Sequence, residues 1–312
     1  MGKKTNALNN AKNVKNDEFY TLIDDIEAEL INYSDKFYGK TVYCNCDDHR
    51  ESNFFKYFFL NFNKLGLKRL ICTGYKKGGR GVMYSTTCGD ANGNGIVDIN
   101  ELETSYLHGD GSYDSDECLS LLDESDVVVT NPPFSLFREY IETIMKHEKK
   151  FLIIGNLNAI PCKYIFNLMK SNKIWIGCNN VKRFLQPDGT IKNFGNIIWY
   201  TNIDHCVRHT KFPLTKIYDK TLYPKYYNYD AIEVSKANDI PKDYDGVMGV
   251  PISFMNKVNP SQFKILECHD PAIELEYYKK FPCFKKEYPS RQVKISGILC
   301  QKVYHRIFIK KV

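Results

Sequence analysis

Apolar residues fall along this chain in two alternating rhythms. Ile23, Ile26, Leu30 and Tyr33 recur at helical spacing and predict a helix over 24–33. A short apolar run over 41–46 reads as a buried strand, 53–65 as an aromatic-rich helix that stops at Gly66, and 69–73 as the next strand. Further short strands are predicted at 126–130, 151–155, 174–177 and 197–201, with helices at 136–147 and 163–171 between them. Strands that alternate with helices imply an α/β fold with a mostly parallel sheet and helices on both faces, whose ligands sit beyond the carboxyl ends of the strands. Residues 1–15 carry Lys3, Lys4, Lys12 and Lys15 with little to pack and predict a flexible basic tail. Beyond about 220 the sequence turns to Tyr, Lys and Pro with fewer clean periods. The expected organisation is therefore a main domain over 16–220 and a smaller region over 221–312.

Composition refines this picture only slightly. With 43% hydrophobic residues in 312, the chain can bury a large core, and its formal charge of +6 suits a polyanionic partner without identifying one. Eleven cysteines, odd in number and diluted along the chain, read as reduced thiols of an intracellular protein, and no Cys-x-x-Cys pair suggests a structural zinc. The first residues lack the apolar stretch of a leader, and no apolar run approaches the roughly 20 residues of a membrane span. A cytoplasmic protein is expected.

The sharpest chemical signal is the apolar strand 126–130 running straight into Asn131-Pro132-Pro133-Phe134. Methylating an exocyclic amine is difficult because the nitrogen lone pair is delocalised into the ring. The amine has to be polarised and held in line with its methyl donor. The Asn131 side-chain oxygen and the Pro132 carbonyl can each accept one amine hydrogen, two prolines stiffen the loop, and Phe134 offers a ring against which a base stacks. As a bare tetrapeptide the same residues also suit a simple turn after a strand. A preceding buried strand and a following helix place them where the chemistry needs them.

At these residues the sequence resembles the amino-methyltransferases, and more narrowly the EcoRI-type adenine-specific DNA methyltransferase family. The resemblance is carried by Asn16-Asp-Glu-Phe-Tyr-Thr21, Val42-Tyr-Cys-Asn-Cys-Asp-Asp48, Ser52-Asn-Phe-Phe-Lys-Tyr57, Gly109-Asp-Gly111, the segment 129–140 around the tetrapeptide, Gly155-Asn-Leu-Asn-Ala159 and Met248-Gly-Val-Pro-Ile-Ser-Phe254. It implies a Rossmann-like methyltransferase fold, S-adenosylmethionine as cofactor, double-stranded DNA as partner, and an adenine flipped out of the helix for N6 methylation. A monomer is expected, and a cognate restriction endonuclease acting on the same site is a partner the resemblance leaves open.

The same resemblance proposes where the donor sits. Phe19, Tyr20 and Thr21 match the N-terminal motif that lies against the donor's methionine end, with Leu22 where the family usually has proline. The turn after the first strand lacks the glycines of most amino-methyltransferases. Asp47 is the first choice there, because a carboxylate suits a sulfonium and its α-amino group, and Asn45 and Asn53 are weaker choices. Asp110 is placed as an acceptor near the adenine end of the donor, although a solvated acidic loop explains it almost as well.

Other features point elsewhere. Asp90, Asn92, Asn94, Gly95, Asp98 and Glu101 fit the twelve-residue calcium-loop template, but strand-like flanks and only three carboxylates favour an Asn/Gly/Asp turn in an insertion, and no metal is expected. Lys285 and Lys286, with other Lys runs in the C-terminal region, are candidate DNA phosphate contacts, although charge runs are more often solvated faces. The rival readings are an Asn-Pro-Pro-Phe methyltransferase acting on RNA, on a protein glutamine or on cytosine N4, and a catalytically dead DNA-binding module.

Overall fold

The computed structural model describes residues 20–46, 52–185, 189–223, 225, 230–269, 292–295, 298–301 and 306–312. By its internal contacts the chain divides into two compact units, Met1–Ala159 with Ile176–His205, and Ile160–Trp175 with Cys206–Val312.

The first unit is built on a nine-stranded sheet. Its strands are β1 (Tyr20–Thr21), β2 (Thr41–Asn45), β3 (Arg69–Gly74), β4 (Val82–Thr86), β5 (Glu103–Tyr106), β6 (Val127–Thr130), β7 (Lys150–Asn156), β8 (Trp175–Leu185) and β9 (Ile191–Thr201), in the order β1-β8-β9-β7-β6-β2-β3-β4-β5. Only the centre is parallel: β2 pairs in parallel with β3 and β6, and β6 with β7. On the flanks β4, β5 and β9 pair antiparallel with β3, β4 and β7. This narrows the mostly parallel sheet expected from the sequence. Strand–helix alternation holds for the four central strands, whereas β3–β4 and β4–β5 are joined without α-helices.

The central strands are apolar throughout because both their faces are covered. Val42 and Cys44 point to one side and Tyr43 to the other, and all three are fully buried. On the first side lie α1 (Ile23–Leu30), α2 (Asn53–Leu60) and the single turn α3 (Phe62–Leu65), whose Ile26, Leu30, Phe54, Phe55, Phe58 and Phe59 join one core with Val42, Cys44, Val127, Val129 and Leu152. Each fully buried Phe contributes about 1.5–3 kcal/mol. Ser52 starts α2 by accepting the Phe55 amide at 3.2 Å. Gly66 ends α3 at φ 61°, a left-handed conformation that costs glycine nothing. Two further helices are α4 (Asp116–Glu124), started by the Ser115 hydroxyl on the Cys118 amide, and α5 (Phe137–Lys146), which buries Phe137, Tyr140, Ile141 and Ile144.

The second unit holds α6 (Lys163–Lys170), β10 (Ala231–Glu233), β11 (Val247–Pro251), β12 (Phe263–His269) and, late in the chain, β13 (Gln292–Ile295), β14 (Ile298–Gln301) and β15 (Arg306–Lys311). Four of these strands form a sheet in the order β10-β11-β15-β12, and β13 and β14 form a separate antiparallel pair. Glu233 is nearly buried in that sheet and is held by Arg306 through bonds of 2.6, 2.9 and 3.1 Å. The sequence division at 220 put 163–171 with the main domain. Internal contacts put this helix in the second unit, because α6 packs on β12. Among the described residues no helix is long and apolar enough to cross a membrane, and Cys44, Cys72 and Cys118 are buried thiols.

Candidate active site

Because β2, β3, β6 and β7 run the same way, their carboxyl ends share one edge of the sheet. That edge gathers most of the residues singled out in the sequence. Asn131 directly follows Thr130, the last residue of β6; its Oδ1 is buried and the residue half-buried. Pro132 is buried, and the Pro133 carbonyl accepts the Leu136 amide at 3.0 Å, which turns the loop into a short helix ahead of α5. Phe134 is half-buried, with its ring edge-on to Phe184 of β8 at 6.4 Å; Phe184 in turn meets Phe194 of β9 at 5.4 Å.

Asn45 closes β2 and is 2% exposed. Its carbonyl accepts the Thr130 hydroxyl and its side-chain oxygen accepts the Tyr140 hydroxyl, so the ends of β2 and β6 and the helix α5 are tied at one residue. Tyr140 carries a ring contact from Tyr113 at 5.1 Å, and burial pushes the Tyr113 hydroxyl above its ordinary pKa. The next residue, Cys46, has φ 63°. The chain thus makes the left-handed turn for which glycine is usual without a glycine, at a cost of about 1–2 kcal/mol.

The other candidates lie beside this edge. Asp110 holds its loop by accepting the Ser112 amide at 3.0 Å, and its carbonyl accepts the Lys76 amide at 2.8 Å, just past the end of β3. Gly111, at φ 82°, approaches the Gly74 carbonyl so closely that no side chain would fit. Asn53 donates to the Thr21 carbonyl at 2.7 Å, which fixes β1 to the start of α2. The Thr21 hydroxyl is buried and finds no partner among the described residues. Tyr20 lies beside it in β1. Phe19, Asp47, Lys285 and Lys286 lie outside the described residues.

Tyr140, Tyr113 and Phe184 received no role from the sequence. A signal for Tyr140 was present: a hydroxyl-bearing ring on the buried stripe of the helix that follows the tetrapeptide. The calcium-template loop sits between β4 and β5, paired strands rather than helices. There Asp90 accepts the Asn94 and Gly95 amides and Glu101 those of Ala91 and Asn92. Among the described residues no three His, Cys, Asp or Glu side chains are grouped to hold a metal.

A buried strand that delivers Asn-Pro-Pro-Phe to the carboxyl edge of a parallel sheet, beside a polar strand end, defines the class of amino-methyltransferases. Comparison with known proteins fixes the family. A family model described as adenine-specific methyltransferase EcoRI matches residues 7–312, and the chain belongs to that family. It is 47% identical to the type II methyltransferase M.EcoRI of Escherichia coli, over 83% of this chain and 88% of that protein. It is 35% identical to M.MgeORF184P of Mycoplasma genitalium, over 97% and 98%, and 37% identical to M.MpnI of Mycoplasma pneumoniae, over 84% and 85%. No solved structure matches the chain significantly. The enzyme is thus an adenine-specific methyltransferase, which sets aside the readings as a cytosine-N4 or protein-glutamine enzyme.

Proposed function

We propose that this protein is a type II DNA methyltransferase that transfers the methyl group of S-adenosylmethionine to the N6 amine of an adenine flipped out of duplex DNA, on a Rossmann-like sheet. One observation carries the reading: the Asn131 amide oxygen is buried at the carboxyl end of β6, in a loop that two prolines hold. In such a place an acceptor meets little competition from water. Asn131 Oδ1 and the Pro132 carbonyl each take one amine hydrogen, which draws electron density onto the nitrogen and aligns its lone pair. Phe134 stacks on the extruded base. Extrusion costs a few kcal/mol, and stacking returns about 1–3 kcal/mol.

The residues beside the edge fit the donor. The buried Thr21 hydroxyl has no partner among the described residues and would donate to the donor's carboxylate, beside Tyr20 in β1; the sequence motif assigns Phe19 to the same end of the donor. Asp47 would attract its cationic end, Asp110 would accept hydrogen bonds near its adenosine end, and Asn45 and Asn53 hold the two strand ends between which it lies. When bound, S-adenosylmethionine supplies an electrophilic methyl on a sulfonium; the chain supplies position and a pocket poor in water.

Lys285 and Lys286 belong to the DNA grip in this reading. Replacing both by Ala would weaken binding to all sequences alike and lower the slope of log affinity against log salt by about 0.9 for each phosphate left without its lysine. In this reading the enzyme works as a monomer in the cytoplasm, and its methyl mark would protect the site from any cognate restriction endonuclease. Single-molecule sequencing of DNA from cells expressing the protein tests the central claim. N6-methyladenine should appear at one recurrent sequence, and DNA free of new modified adenines would refute it.

A further inference from the structure

A cysteine and a histidine meet near the start of β8, outside the residues assigned to methyl transfer. Cys178 of β8 is half-buried, and its Sγ is 3.3 Å from Nδ1 of His205, which is 6% exposed. The other ring nitrogen, Nε2, is 3.0 Å from the Ile176 carbonyl oxygen. A carbonyl only accepts, so Nε2 carries the hydrogen and Nδ1 turns its lone pair toward the thiol. The tautomer is thereby locked in the form that takes a proton from sulfur.

The surroundings hold this pair in place. Glu29 of α1 is fully buried and accepts the Cys178 amide at 2.7 Å, the Asn179 amide at 2.7 Å and the Tyr33 hydroxyl at 2.9 Å. The Tyr33 ring stands edge-on to the His205 ring at 5.6 Å, and its hydroxyl lies 3.9 Å from Sγ. The titratable neighbours are therefore Glu29 and Tyr33, with Asp204 preceding His205 in the chain. Burial raises the pKa of Glu29, the hydrogen bonds it accepts pull the other way, and a carboxylate there favours the imidazolium over neutral histidine.

We propose that Cys178 and His205 form a nucleophilic thiol–imidazole pair, a modification site for hydroperoxides separate from the methyl-transfer site. His205 Nδ1 takes the thiol proton, leaving a thiolate beside an imidazolium. The sulfur attacks one peroxide oxygen and an S–O bond forms as the O–O bond breaks. The departing hydroxide, or alkoxide from an organic hydroperoxide, takes the imidazolium proton to become water or an alcohol. Cys178 is oxidised to a sulfenic acid and the peroxide is reduced.

The test compares thiols within one molecule, so no variant need fold for it to be read. An ordinary thiol of pKa about 8.5 is only about 3% ionised at pH 7. With limiting iodoacetamide, which forms an S–C bond and releases iodide, Cys178 should be alkylated about tenfold faster than the exposed Cys88 and Cys206 when peptides are quantified by mass spectrometry. Its rate should also fall less between pH 8 and pH 6 than theirs. Hydrogen peroxide followed by dimedone should place the sulfenic-acid adduct on Cys178, and His205→Gln should abolish the rate advantage while leaving Cys88 unchanged. Cys178 reacting no faster than Cys88 and Cys206, or tracking them with pH, would overturn the proposal.

Discussion

The two edges of the nine-stranded sheet are built on opposite principles. The carboxyl edge is polar but uncharged among its buried groups: Asn45, Thr130, Tyr140 and the Asn131 oxygen all lie away from water. The amino edge is charged and wet, with a cavity of about 520 Å³ lined by Lys36, Lys40, Asp126, Glu148, Lys149 and Asp204. Its Lys40–Asp126 pair is 3.5 Å apart, and both side chains are more than 40% exposed. Exposed pairs of this kind contribute about 0–1 kcal/mol and are screened by salt. A buried polar group stripped of its partner costs about 1–3 kcal/mol. Sensitivity to substitution should therefore follow burial rather than charge.

The largest effect is expected at Asn131. Asn131→Ala removes one amine acceptor and should slow methyl transfer by about 100-fold or more, measured as initial rates with labelled donor, while the fold persists. Activity within threefold of the parent would remove Asn131 from the chemistry. Phe134→Ala should follow at about tenfold, with Trp or Tyr restoring the rate because stacking needs only a ring face; equal activity in the Ala variant would count against stacking. Tyr140→Phe leaves the Asn45 oxygen without its donor. It should lower unfolding stability by about 1–2 kcal/mol in urea and slow methyl transfer by about fivefold, less than the loss of Asn131. Smallest of all is Lys149→Ala at the opposite edge, where stability should move by less than about 0.5 kcal/mol and activity by less than twofold. A tenfold loss there would erase the distinction between the edges.

What the sequence discloses follows the same division. The strands β2, β3, β6 and β7 and the helices α5 and α6 are legible because burial on both faces, or on one stripe, forces apolar residues into short periodic runs. The sequence shows only the first part of β8 and the last part of β9. Where β9 begins, Ile191–Asn196 alternates exposed and half-buried side chains with Lys and Asn among them, and no apolar run marks it. The helix α4 leaves no clear period in the sequence because it buries only Cys118 and Leu122. At the site, Asn131 to Phe134 are visible as a motif, since the chemistry demands those residue types in that order. The Tyr140–Asn45 bond joins residues 95 positions apart, and no local pattern encodes such a partnership. The missing glycine after β2 is a departure visible in the sequence, and the φ of Cys46 shows that the turn is made all the same.

Asn45 also has a thermodynamic meaning. It ends the strand beside the proposed donor pocket, and through its carbonyl and side-chain oxygens it is bound to Thr130, the residue before Asn131, and to Tyr140. Ordering one strand end removes freedom from the other, so two ligands that settle on either side share the cost of stiffening the same girder. Linkage then requires reciprocity: whatever factor a donor analogue adds to the affinity for DNA, DNA adds to the affinity for the analogue. That shared factor, measured from both directions by titration, should shrink in Tyr140→Phe even where each ligand alone binds as before.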